Sequence, residues 1–355
     1  MLTKDCAHGG VYSVNPKLVK LDFSSNVNPL GISEKVLELI HDNITSLSKE
    51  YPDPKCKDLK RSLSNYVGTG IHPDSINVGN GATELIHDFA RTFVRKKVVI
   101  PVPTFCEYES ACRRMGANVV LVPMQDFKLS PDIIIENANN SDAVFLCNPN
   151  NPTGWLASKS IKKIIEGVDN STKILIDECF IEFADGTYPS HSMIEKTHEF
   201  DNIMILRSLT KSFGLAGLRI GYSISNHAAA NRISASQIPW NVNGIAQRAG
   251  ISALENMTHL EDARRLIKKE REFIQTHIKK RLHSFIPLRS DVNYFLIRLE
   301  SKDSTSLRDS ILLGKGILVR DCSDFAGIEE DYIRVAVKTH QENLLLLDAL
   351  ENSDR

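Results

Sequence analysis

The sequence lacks the features that would place a chain in a membrane, on nucleic acid or around a structural metal. No hydrophobic run approaches the length of a membrane span. The N-terminus, MLTKDCAHGGVYSVNPK, has no apolar segment of the kind a signal peptide needs. A cytoplasmic location is therefore expected. Lys and Arg total 43 against 44 Asp and Glu, a formal net charge of −1. Such a chain has no global field to draw nucleic acid or anionic lipid, so any anion must be met by a local pocket. The cysteines (Cys6, Cys56, Cys106, Cys112, Cys147, Cys179 and Cys322) form no CxxC pair and no metal-ligand spacing. An odd, scattered set predicts reduced thiols, with no structural disulfide and no metal site. There is no internal repeat and no low-complexity tract.

What is present is a patterned chain of 355 residues, long enough for one large domain and one smaller one. Residues 1–30 are rich in Gly, Asn and Pro and predict an extended arm. Residues 32–44 and 56–68 show helical spacing of apolar positions. From residue 76 the pattern becomes strand, loop, helix. Apolar β-branched runs at 76–81, 97–103, 117–123, 142–149, 172–178, 202–208 and 218–224 alternate mostly with helical segments. Continuous apolar strands of this kind are buried on both faces, which predicts a mostly parallel α/β sheet between helices. A large domain over 31–245 follows. Beyond it, residues 257–285 read as a long amphipathic helix, and NYFLIRLE, GILVRDC and YIRVAV as strands, giving a small α+β domain over 246–355. The basic residues of the long helix are interleaved with acids, as on a solvated face.

In open α/β sheets, ligands bind beyond the carboxyl ends of the strands. Four such ends carry conspicuous polar residues. GNGATE (79–84) could turn backbone N–H groups and a helix N-terminus toward an anion. NPNNPTG (148–154) is a tight polar turn. Asp177 ends the apolar run KILI, where a carboxylate is costly without a partner. SLTKSFGLAGLRIGY (208–222) places Lys211 just past a strand, with Ser208 before it and Arg219 after it. Desolvation there would lower the lysine pKa and make its amine nucleophilic, and the arginine could grip a phosphate. Each feature alone is commonplace. Together they supply a reactive lysine, a buried acid, a polar donor and a phosphate cradle, which is what pyridoxal phosphate requires.

The order GNG, NPNNPTG, DECF, SLTKSFGLAGLRIGY resembles the fold-type-I pyridoxal-phosphate enzymes, in the branch containing histidinol-phosphate aminotransferase and threonine-phosphate decarboxylase. The resemblance runs from His8 to about residue 340. It implies a Schiff base on Lys211, Asp177 on the pyridine nitrogen and Asn151 on the ring oxygen. It implies a phosphate cradle from Asn80, Gly81, Ala82, Ser208 and Arg219. Tyr51 of YPDP matches a tyrosine that reaches the cofactor phosphate of a neighbouring subunit, implying a homodimer with shared active sites.

Within that branch, AHGG (7–10) and DFSSNVNPLG (22–31) resemble the decarboxylases and imply substrate contacts from His8, Gly9 and Asn26. Phe180 stands where aminotransferases carry a tyrosine, and QIPWNVN (237–243) also resembles the decarboxylase form. Arg320 and Arg334 match substrate-binding arginines, with Asn151 beside them. Which arginine takes which anion stays open. The resemblance implies decarboxylation of L-threonine O-3-phosphate for cobalamin biosynthesis. Transamination of histidinol phosphate and decarboxylation of L-serine O-phosphate are the alternatives.

Overall fold

The structure is a computed structural model that describes residues 8–68, 70–184, 190–328 and 331–354. Residues 1–7 of the expected arm, Cys6 among them, lie outside the described residues. So does Arg355 of the polar end.

The apolar runs form one seven-stranded sheet: β1 (Ile76–Gly79), β2 (Lys97–Val102), β3 (Asn118–Pro123), β4 (Ala143–Cys147), β5 (Lys173–Asp177), β6 (Ile203–Ser208) and β7 (Gly221–Ser225). Their spatial order is β1-β7-β6-β5-β4-β2-β3. The five strands from β2 to β6 pair in parallel. Strand β7 runs antiparallel to both neighbours, β1 and β6. It follows β6 after the segment 209–220. β5 and β6 are buried almost throughout, as a sheet covered on both faces requires. The expected strand at 218–224 starts later, at Gly221, because Arg219 adopts a left-handed φ of 62° that belongs to the loop.

Four helices bear on the site. α1 (Ala82–Phe93) follows β1, α2 (Glu107–Arg114) follows β2, and α3 (Leu209–Ser212) is a single turn after β6. α4 (Met257–Arg281) joins two cores. Its Leu260 and Ile267 pack into the main core and its Ile274 and Ile278 into the second.

The second core lies under an antiparallel sheet of β8 (Phe285–Pro287), β9 (Tyr294–Leu299), β10 (Arg320–Asp321) and β11 (Tyr332–Ala336), ordered β10-β11-β9-β8. GILVRDC is not one strand. Ile317–Leu318 pairs in parallel with Leu21–Asp22 of the arm, while Arg320–Asp321 pairs with β11. The arm is thereby stitched to the small domain, and Phe23 is fully buried in the second core.

The cysteine expectation needs one correction. Cys56, Cys112, Cys147, Cys179 and Cys322 are free, but Cys106 is disulfide-bonded. Spacing along the chain did not show that the arm folds back here, where His8 bonds Glu107, the neighbour of Cys106. Among the described residues no cluster of metal-ligating side chains occurs, and no helix is long and apolar enough to cross a membrane.

Candidate active site

The carboxyl ends of β4, β5 and β6 open into a cavity of about 530 Å³. The arm contributes His8, Gly9 and Asn26; the large domain contributes Asn151, Asp177, Ser208, Lys211 and Arg219; the small domain contributes Arg320 and Arg334. A slightly larger cavity, about 580 Å³, lies behind Cys147 between Phe127 and Trp155. Its wall carries Lys128, Lys159, His191 and Arg289 and, among the described residues, no carboxylate, whereas a buried acid and a buried lysine, Asp177 and Lys211, share the first.

Lys211 sits in α3, whose N-cap is Ser208; the Ser208 hydroxyl accepts from Thr210 N at 3.2 Å. Asn28 N donates to the Lys211 carbonyl at 3.0 Å, so the arm also fixes this turn. Desolvation, reinforced by the Arg334 and Arg219 guanidinium groups, lowers the Lys211 amine to about 8. A sizeable fraction is therefore neutral and nucleophilic near physiological pH.

Asp177 is 6% exposed. Burial pushes its carboxyl up, against donation from Cys179 N at 2.9 Å and from the Tyr108 hydroxyl at 2.7 Å. A carboxylate so desolvated gains from a cation brought against it, and a protonated pyridine nitrogen is such a cation. Tyr108 escaped the sequence reading. An aromatic residue on a helix, 69 positions before its partner, reads as core packing. The phosphate end is equally specific. Gly81 has φ +84°, and a Cβ there would clash with an Arg219 guanidinium nitrogen. The turn thus brings bare backbone against the arginine at the start of α1, where an anion is favoured.

Arg334 is 5% exposed and donates to Asn151 Oδ1 and, at 2.7 Å, to Ser24 O. Its Nε and the side-chain oxygen of Asn26 are buried with no hydrogen-bond partner among the described residues. Native interiors rarely leave such atoms orphaned, and here both line a cavity that a polar ligand can enter. Burial moves the Arg334 guanidinium down to about 10, still charged at neutral pH. Arg320 is held by both Asp324 oxygens, at 2.8 and 2.7 Å, and lies over the Phe325 ring. Phe180 faces the same cavity and packs edge-on against Tyr294.

The structure thus gathers Ala82 and all the expected substrate residues into one wall with Lys211. It leaves three cofactor candidates outside that wall. Asn80 and Gly81 form the turn before α1, with the Asn80 N–H donating to Glu84. Tyr51 is 86% exposed and packs on Trp240, with ring centroids 5.5 Å apart, and lines a different hollow from Lys211.

Residues 19–350 match the model of the aminotransferase class I and II family. A protein of Caldanaerobacter subterraneus subsp. tengcongensis, named provisionally as a threonine-phosphate decarboxylase, is 34% identical over 92% of this chain and 88% of its own length. The histidinol-phosphate aminotransferase of Clostridium acetobutylicum superposes with a TM-score of 0.87 at 33% identity, covering 94% of this chain and 99% of that one. The L-threonine-O-3-phosphate decarboxylase of Porphyromonas gingivalis superposes with a TM-score of 0.84 at 26% identity, with the same coverage. Enzymes of this family use pyridoxal 5′-phosphate, and the buried acid, the lysine and the glycine-lined arginine fit that group. The chain is a fold-type-I pyridoxal-phosphate enzyme and belongs to the aminotransferase class I and II family.

Proposed function

We propose that the chain decarboxylates L-threonine O-3-phosphate to (R)-1-amino-2-propanol O-phosphate, a step of cobalamin biosynthesis. The observation that carries this reading is the clustering of His8, Asn26, Arg320 and Arg334 around Lys211, with Phe180 in place of a hydroxyl-bearing ring. When bound, pyridoxal phosphate supplies an electron sink that weakens the bonds at the α-carbon of an amino acid. The chain selects the bond by anchoring the two anionic ends of the substrate. Arg334, tied to Asn151 and Ser24, is the fixed anchor and suits the α-carboxylate. Arg320, stacked on Phe325 and shared with Asp324, suits the distal phosphate, which carries a charge of about −1.5 to −2. The Lys211 amine, at about 8, can exchange a proton with the α-carbon near neutral pH.

We assign Tyr51 to the site of a second copy. Its exposure beside Trp240 suits a homodimer with shared active sites. The similarity to the C. acetobutylicum enzyme favours one other reading, transamination of histidinol phosphate. Purified enzyme loaded with the cofactor separates the two. Release of carbon dioxide from phosphothreonine without 2-oxoglutarate is expected. Glutamate formed from 2-oxoglutarate and an amino donor would overturn the proposal. Phosphoserine is the close competitor, since one methyl group discriminates by only ~1–3 kcal/mol.

A further inference from the structure

The structure assigns Glu107 a positioning role: together with His87 it holds the His8 imidazole in the cavity wall for the distal phosphate of the substrate. The inference rests on the reading of a phosphorylated substrate given above.

Glu107 is the first residue of α2 and is 9% exposed. One carboxyl oxygen meets His8 Nε2 at 2.9 Å and the other meets His87 Nε2 at 3.2 Å. These two bonds hold the Glu107 carboxyl down to about 2, so it is ionised and can only accept. Both rings must then present an N–H to it. An acid in the first turn of a helix is ordinary, but that alone explains neither imidazole.

The three partners come from different parts of the fold. His87 lies on α1, whose first residues Ala82 and Thr83 line the cavity. His8 lies on the arm. The arm is fixed a second time at Ser24. Gly10 N donates to Ser24 Oγ at 2.7 Å, and a Cβ on Gly9 would meet Ser24 O at 2.6 Å. That same carbonyl accepts from Arg334 at 2.7 Å. His8 is therefore registered to Arg334 through one carbonyl and to α1 and α2 through one carboxylate. Glu107 thus converts an arm residue into part of a phosphate site, although it does not itself line the cavity.

A double-mutant cycle on the cofactor-loaded enzyme tests this, with Glu107→Gln, His8→Ala and the pair. Glu107→Gln is expected to raise KM for O-phospho-L-threonine about tenfold (~1.4 kcal/mol) while kcat changes less than threefold. In the His8→Ala background the same substitution should change KM less than twofold, since the coupling has gone. Equal factors in both backgrounds, or a loss confined to kcat, would overturn the assignment. Calorimetric titration with inorganic phosphate repeats the cycle without turnover. Weakening by Glu107→Gln only when His8 is present supports the assignment, and equal weakening or none refutes it. If the wild type releases no carbon dioxide from phosphothreonine, the proposed reaction fails while the phosphate titration still decides the role of Glu107. Should Glu107→Gln not fold, Glu107→Asp, one methylene shorter, takes its place in the cycle.

Discussion

Two clusters of buried charge lie back to back at the ends of β5 and β6. Neighbouring residues supply them. Asp177 and Ser208 face the cavity, whereas Glu178 and Arg207 meet on the other side of the sheet, as alternation along a strand requires. The Arg207 side chain is 1% exposed and that of Glu178 fully buried. Glu178 accepts from Arg207 at 3.1 and 2.9 Å, from Ser192 at 2.8 Å and from Met193 N at 2.6 Å. Glu182, 3.7 Å from Arg207, completes the group, its carboxyl raised to about 7 by burial. The cavity cluster is the opposite case. Lys211 is desolvated beside two arginines, and polar atoms of Asn26 and Arg334 have no hydrogen-bond partner among the described residues. Burial of charge is common to both, and so are unbonded atoms, since both Glu182 carboxylate oxygens also lack a hydrogen-bond partner among the described residues; what differs is that the unbonded atoms of Asn26 and Arg334 belong to residues lining a cavity. The charges around Arg207 pair with one another, whereas the cavity cluster is open to what it binds.

Exchanging each central cation for methionine, the nearest unbranched apolar shape, breaks the comparison most sharply. Lys211→Met should abolish turnover and the visible absorbance of the loaded enzyme. The chain without cofactor should nonetheless melt no lower than wild type at pH 7, because a desolvated cation has been removed. An apo variant melting far below wild type would show that Lys211 is structural. Arg207→Met should do the reverse. It leaves Glu178 and Glu182 buried without a counter-charge and should cost ~3–5 kcal/mol in urea unfolding. Whatever protein still folds should load cofactor normally. Selective loss of loading with unchanged stability would show that the two clusters are one functional unit.

The sequence made much of this division legible, unevenly. The continuous apolar runs ending in Asp177 and Ser208 read directly as buried parallel strands, because nothing polar interrupts them. The cavity cluster was legible because its residues fall in short motifs at strand ends. Its partners were not. Tyr108 and Glu107 lie on α2, and their functional contacts are to Asp177 and His8, distant in the chain. His87 looked like any polar position on an amphipathic helix. The split of GILVRDC between two sheets was equally hidden, since an apolar run carries no mark of where its pairing partner changes. The Arg207 network gave no signal either. An arginine inside β6 has no local feature separating a closed ion cluster from a ligand site.

The smallest expected effect concerns the proton on Lys211. Its amine titrates near 8 in the folded chain, against an ordinary value of about 10.5 once unfolded. Below about 8 both forms are protonated, and the folded state carries the full cost of a buried cation. Between about 8 and 10.5 unfolding takes up a proton, so stability gains a term that rises with pH. Above that range both forms are neutral and the gain is complete. Lys211→Met has no such titration. The difference in melting temperature between the apo forms of variant and wild type should therefore shift in favour of wild type as pH rises from 7 to 10. Over the same range, the rate at which the apo chain takes up pyridoxal phosphate should level off near 8, because only the neutral amine reacts. If uptake keeps rising to about 10.5, the lysine is solvated and the cavity does not activate it. In that case the contrast between an open and a closed cluster loses its energetic basis.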